Sequence, residues 1–172
     1  FWYANPQGKS GHWERHLVLD KTDNESPTLA NVVGDERPEL VCNYQGTLGY
    51  AEADPVNPTR PWRFTPIADN RGWQMFTHGL GVGDISGDGK MDIIQGSGWW
   101  EQPAANAAQG GWKFSAVPFR RGTDPFLAGA DMFAYDLNGD KRNDVITSLF
   151  AHGPGLVWYE QQRSAQGDIT WR

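Results

Sequence analysis

GLGVGDISGDGKMDII, residues 79 to 94, carries oxygen-bearing side chains at alternate positions, Asp84, Ser86 and Asp88, between two short apolar runs. Gly87 and Gly89 let the chain turn sharply there, and Asp92 closes the stretch ahead of Ile93-Ile94. Alternate residues of a tight loop point inward together, with the backbone carbonyl of Lys90 filling in between. A hard cation takes roughly six to eight oxygens in such a loop. Asp84, Ser86, Asp88, Lys90 and Asp92 are therefore the expected ligands of a calcium ion. A hairpin turn that needs Asp and Gly only for its shape is the alternative.

The flanks say what the loop connects. An EF-hand would continue into a helix and supply a bidentate Glu at its twelfth position. Gln95 stands there instead, and the β-branched pair Ile93-Ile94 begins a strand. Ahead of the loop, Leu80 and Val82 alternate with Gly79, Gly81 and Gly83, as expected of an innermost strand crowded by its neighbours.

The stretch recurs. DISGDGKMDII at 84 to 94 matches DLNGDKRNDVI at 136 to 146 and, more faintly, NVVGDERPELV at 31 to 41, at steps of 52 and 53 residues. The second copy keeps Asp136, Asn138, Asp140 and Asp144, with Arg142 at the carbonyl position, and is a second candidate calcium loop. Val33 has no oxygen to offer in the third copy, which is expected to be metal-free. Aromatic landmarks keep the same beat at Trp2-Tyr3, Tyr50, Trp99-Trp100 and Trp158-Tyr159, each followed by a lone Trp at 13, 62, 112 and 171. The polar stretch 103 to 111 between two of these reads as a surface loop.

Four short antiparallel strands per roughly 50 residues is the period of a propeller blade. The expected fold is all-β: a single partial β-propeller over residues 1–172, with blade remnants at 1–20 and four-stranded blades at 24–67, 77–118 and 129–172. That is about three and a half blades, fewer than the roughly four to eight of a closed propeller. The chain is expected to complete its propeller with another chain, or to be part of a longer protein.

Composition agrees with short strands and tight turns, since the 172 residues include 21 Gly, 11 Pro and 9 Trp. A formal charge of -6 argues against nucleic acid, whose phosphates need a basic face. The lone Cys42, beside Leu40 and Val41, reads as a buried structural thiol. No apolar run approaches the ~18 residues of a membrane span. The start, FWYANPQGKS, is not a signal peptide; a mature chain after signal removal would look the same, and an extracytoplasmic location is expected.

The pattern D-x-[NS]-G-D-G-x-x-D-[IV] with its following aromatic pair resembles the FG-GAP or VCBS repeat of calcium-binding β-propellers over essentially the whole chain. More narrowly, HGLGVGDISGDGKMDII followed by GWWEQP, and AYDLNGDKRNDVITSLFAHGPGLVWYEQ, resemble the propeller domain of aldos-2-ulose dehydratase-type proteins. That resemblance implies action on sugars.

If the acidic loops join first to second strands at one face, the residues entering first strands and leaving second strands meet at the opposite mouth. Aligned repeats put Glu25, His78 and Asp131 at the entrances and Tyr44, Gln45 and His152 at the exits. Imidazoles there can hold a second divalent metal such as zinc or magnesium, or move protons near neutral pH. A nearby carboxylate such as Glu25 can take a proton next to a carbonyl. The plainer alternative is histidines that cap strands. His12 and His16, flanking Trp13, are expected to be solvated, and most tryptophans to be packing residues. No nucleophile elbow, P-loop or paired-cysteine motif is present, and GLGVGD has no helix behind it for a dinucleotide. The expected function is a calcium-stabilised binding or scaffolding module for carbohydrate or a protein partner. The alternative is a lyase that eliminates water from a keto-sugar through Glu25, His78 and His152.

Overall fold

Short β-branched and aromatic runs, broken by glycine turns, form fifteen strands and no helix among the described residues. The computed structural model describes residues 1–104, 107, 110–120, 122 and 128–172. Of the polar loop at 103 to 111, residues 105, 106, 108 and 109 lie outside them. No helix among the described residues is long and apolar enough to cross a membrane.

β1 (Trp2–Ala4) and β2 (Glu14–His16) pair by themselves. β3 (Thr28–Ala30), β4 (Glu39–Tyr44), β5 (Thr47–Glu52) and β6 (Arg63–Pro66) follow one another in a four-stranded antiparallel sheet. β7 (Leu80–Gly83), β8 (Asp92–Gln95), β9 (Gly98–Glu101) and β10 (Lys113–Ala116) form a like meander, as do β11 (Asp131–Tyr135), β12 (Asp144–Ser148) and β13 (Leu156–Tyr159). β14 (Gln161–Arg163) continues that path and pairs with β15 (Ile169–Trp171).

The sequence leads one to expect a separate four-stranded unit for each repeat. Instead the second and third meanders share one seven-stranded sheet, because β7 and β11 run parallel and pair, with Leu80 opposite Asp131, Gly81 opposite Met132 and Val82 opposite Phe133. Glycine permits that approach. A Cβ on Gly81 would overlap the Met132 carbonyl oxygen, and one on Gly83 the Ala134 methyl.

Two apolar cores lie between successive repeats. Val41, Leu48 and Tyr50 of the first pack with Leu80, Ile93 and Trp100 of the second. Ile94 and Trp99, on the opposite face of the second, pack with Met132 and Val145 of the third. Alternation along a strand thus sends neighbouring residues to different cores, Ile93 to the first and Ile94 to the second in β8, Trp100 to the first and Trp99 to the second in β9. Cys42 is buried, and desolvation pushes its thiol up to about 12, which leaves it an inert packing group. His16 is not solvated as expected: it is buried and its ring lies 4.4 Å from that of Trp2, its partner across β1 and β2.

Buried glutamines tie each repeat to the one before. Gln102 Nε2 donates to the Val32 carbonyl, and Gln161 Nε2 donates to the Ile85 carbonyl at 3.0 Å and the Asn143 carbonyl at 2.9 Å.

Candidate functional site

Glu25 precedes β3, His78 precedes β7 and His152 lies between β12 and β13, in three different repeats. Backbone bonds lace these approaches together. The Glu25 amide donates to the Thr77 carbonyl at 3.1 Å, the Gly79 amide to the Ala130 carbonyl at 3.1 Å, and the Ala151 amide to the Ala128 carbonyl at 2.9 Å. The Ser26 hydroxyl adds a bond to the Ala130 carbonyl at 2.6 Å.

The side chains converge as a result. One ligand atom from each of Glu25, His78 and His152 lies within 4.8 Å of the other two. His78 Nε2 is 2.9 Å from His152 Nε2, with the rings near perpendicular at 79°. On the other side of the His78 ring, Nδ1 faces Glu25 Oε2 at 3.5 Å. His78 is buried, whereas Glu25 and His152 are exposed.

This order of contacts divides the labour. A carboxylate beside Nδ1 favours the tautomer with its proton there, which leaves the Nε2 lone pair free to bind. His78 Nε2 and His152 Nε2 are then two donors aimed at one point. With metal–nitrogen distances of about 2.0–2.1 Å, a tetrahedral ion needs its two nitrogens roughly 3.3 Å apart, so the imidazoles must open by only about 0.4 Å. Two imidazole nitrogens suit zinc or another divalent transition metal better than magnesium, which wants oxygens. Magnesium, named as an option from the sequence, fits this donor set poorly.

Asp131 is no member of the group: it is exposed, and its carbonyl accepts the Thr147 hydroxyl at 2.9 Å. Tyr44 and Gln45 bond to each other, Gln45 Nε2 donating to the Tyr44 hydroxyl at 3.0 Å. A hydrogen bond to Asp20 holds the Tyr44 phenol above its ordinary range. Phe150, which the repeat alignment did not single out, stands edge-on to His152 with ring centroids 6.4 Å apart.

No family model, curated protein or solved structure matches this chain. The chemistry of its loops has to be read from their own bonds.

In the loop at 84 to 92, Asp84 Oδ1 accepts the Gly87 amide at 2.7 Å and the Asp88 amide at 3.1 Å, and Oδ2 the Gly89 amide at 2.9 Å. Asp92 Oδ2 accepts the Ile85 and Ser86 amides at 2.8 Å, and Oδ1 the Gln102 amide at 2.9 Å. Asp92 is fully buried, and desolvation pushes its carboxyl up to about 6 against those three donors. Both of its oxygens thus serve the backbone. Asp88 accepts the Lys90 amide and pairs with the Lys90 ammonium at 3.1 Å, and its carboxyl lies below the ordinary range; its hydrogen bonds outweigh desolvation.

The second loop repeats this plan. Asp136 accepts the Gly139, Asp140 and Lys141 amides, Asp144 accepts the Leu137 and Gln161 amides, and Arg142 pairs with Asp140. Asn138 Nδ2 donates to Asp140 Oδ2 at 3.1 Å. The third loop, expected to be metal-free, has the same frame, with Asn31 on the Gly34 amide and Glu39 on those of Val32 and Val33. The first and ninth residues therefore shape the turn in all three. What is left to a calcium ion is Ser86, Asp88 and the Lys90 carbonyl, with an oxygen of Asp84 shared, and in the second loop Asn138, Asp140, the Arg142 carbonyl and Asp136. A buried Asp92 or Asp144 adds nothing to either set, so the fit to calcium is partial.

Proposed function

We propose that this chain is a β-propeller binding module, with three repeats and part of a fourth, whose mouth holds a divalent transition metal between His78 and His152. Glu25 orients His78 and lies within reach of whatever the metal binds. Successive antiparallel meanders and the apolar cores that alternate between them support the propeller reading. One observation carries the metal reading: two imidazoles 74 residues apart bring their Nε2 atoms to 2.9 Å, with a carboxylate on the far nitrogen of the buried one.

The ligand class is a hydroxylated molecule, carbohydrate first, that completes the open coordination positions, and the chain works outside the cytoplasm. Calcium, where it binds, adds rigidity at the acidic loops through Asp84, Ser86 and Asp88 and, in the second copy, Asp136, Asn138 and Asp140. The exposure of Glu25 beside the metal donors favours a second reading, a lyase. There a metal held by His78 and His152 would polarise a keto-sugar carbonyl, while Glu25 takes the neighbouring C–H proton and returns it to the hydroxide that leaves the next carbon, so that water departs as the C=C bond forms.

Calorimetric titration of the metal-stripped chain with zinc is the test. One ion should bind per chain, His152→Ala should weaken binding by at least tenfold, and Glu25→Gln should weaken it less. Absence of zinc binding, or binding indifferent to His152→Ala, overturns the metal reading. Retained zinc binding with no turnover of keto-sugars keeps the module and removes the lyase.

A further inference from the structure

One groove is built twice beside the acidic loops. Each copy lies between successive repeats, with the loop of the earlier repeat on one side and the loop and post-aromatic segment of the later on the other. Between the first and second repeats it is a cavity of about 420 Å³ whose lining includes Val33, Gly89, Met91 and Ala104. Between the second and third it is about 440 Å³. Counted from the acidic loop or the aromatic pair, the corresponding residues there are Ser86, Lys141, Asn143 and Arg163, and all four line it. The frame is common to both copies, and polar or cationic side chains stand in one where small or apolar ones stand in the other.

Charge separates the copies further. Lys90 and Arg142 hold the same place in the two grooves, and each is neutralised within its own loop, by Asp88 and Asp140. Lys141 and Arg163 are not: among the described residues neither forms an ion pair. Asp84, the carboxylate that lines their cavity, already accepts the Gly87, Asp88 and Gly89 amides. Arg163 is nonetheless held in place. Its Nε donates to Gln161 Oε1 at 3.2 Å, Nη1 to the Gly167 carbonyl at 3.3 Å and Nη2 to the Ser86 carbonyl at 2.6 Å. All three acceptors are uncharged, so the guanidinium is positioned without being neutralised, and it keeps N–H donors to spare. A fixed planar fork beside a lysine on a flexible stem is a receptor for an oxyanion. In a chain of formal charge -6, such a pair of cations draws anions to one place.

Ser86 and Arg163 also border a second cavity of about 380 Å³, whose other walls include Trp99, Trp171, Glu101 and Asp168. Indoles take the apolar face of a sugar ring, and carboxylates accept its hydroxyls. We propose that the two cavities form one site for a carboxylated sugar, a uronate residue within an oligosaccharide. Its carboxylate sits on Arg163 and Lys141, and the neighbouring ring passes Ser86 toward Trp171. The sugar class rests on the function proposed above, whereas the charge on it follows from these residues alone. The site is separate from Glu25, His78 and His152, none of which lines either cavity.

Calorimetric titration of the metal-stripped full chain with a galacturonate trimer should show one trimer bound per chain, and the fully methyl-esterified trimer, which carries no charge, should not bind. Lys141→Gly should weaken binding by at least tenfold. It should also melt at or above the wild-type temperature, because φ is +69° at that position and glycine suits it better than lysine. Arg163→Ala should weaken binding at least as much. His152→Ala should bind the trimer as the wild type does, which keeps a failure here distinct from a failure of the metal reading at the mouth. No binding of the trimer, equal binding of its ester, binding that survives Lys141→Gly, or binding lost with His152→Ala overturns the proposal.

Discussion

Replacing Gly81 by alanine probes the contact that joins the second repeat to the third. Gly81 lies opposite Ile94 in the antiparallel direction and opposite Met132 in the parallel one. The added Cβ overlaps the carbonyl oxygen, carbonyl carbon and Cβ of Met132, so no flexible side chain can swing aside and β11 must move. Alanine is intrinsically better than glycine in a strand by roughly 0.5–1 kcal/mol, whereas overpacking costs about 1–3 kcal/mol and more when backbone must shift. The second term wins, and a net loss of about 1–2 kcal/mol is expected. For a chain of this length each kcal/mol moves the melting temperature by roughly 2–4 °C, so thermal unfolding followed by circular dichroism should show a drop of about 2–8 °C. Gly72→Ala provides the comparison: φ is +72° there but no atom lies within 4 Å of the added carbon, so only the left-handed strain of about 1–2 kcal/mol applies. Zinc affinity separates the two variants, because His78 lies three residues before Gly81 and only Gly81→Ala should weaken it. A Gly81→Ala chain that melts at or above the wild-type temperature, with zinc binding intact, refutes the close-approach argument.

Two further expectations concern the acidic loops. Burial raises the Asp92 carboxyl to about 6 from an ordinary 3.8, so the folded chain takes up a proton that the unfolded chain does not as pH falls from about 6 to about 4. Stability should rise through that window by up to about 3 kcal/mol, and Asp92→Asn, which cannot titrate, should lose the rise; equal pH slopes for the two proteins from chemical denaturation would refute it. Below about pH 4 the lowered carboxyls of Asp35, Asp54 and Asp88 act in the opposite sense. Any stabilisation by millimolar calcium should disappear in Asp88→Ala and persist in Asp92→Asn, measured as the melting shift between calcium and EDTA; the reverse pattern would make Asp92 a ligand after all.

The repeat made much of this architecture legible. Once Asp84, Asp136 and Asn31 are aligned, the strands on either side follow, and with them the convergence of Glu25, His78 and His152, three residues with no local motif in common. The identity of the aspartates was less informative than their number. Asp92 and Asp84 look alike as oxygens in a spacing pattern, yet one is sealed beneath the turn holding backbone amides and the other sits at its surface, a distinction that depends on burial. The presence of Glu39 in the copy expected to be metal-free was the available hint, since a carboxylate kept where no cation is expected has another task. The parallel pairing of β7 with β11 was hidden because the spaced glycines report that something comes close and not what. His16 looked solvated because its partner, Trp2, is fourteen positions away and found only through strand pairing.

The bonds made by Gln102 and Gln161 bear on how such a chain lengthens. Each glutamine sits at the end of its own repeat's aromatic pair and grips a carbonyl in the loop of the repeat before it, Val32 in one case and Ile85 in the other. The carbonyl is backbone, so the fastener asks nothing of the side chain it meets. A duplicated segment inserted in frame would arrive with its own glutamine for its predecessor and offer its own loop carbonyl to its successor, and nearest-neighbour contacts of this kind are what allow arrays to change length without redesign. Divergence is then free to proceed inside a unit, as it has between Gly81 and Phe133, while the joint between units stays standard.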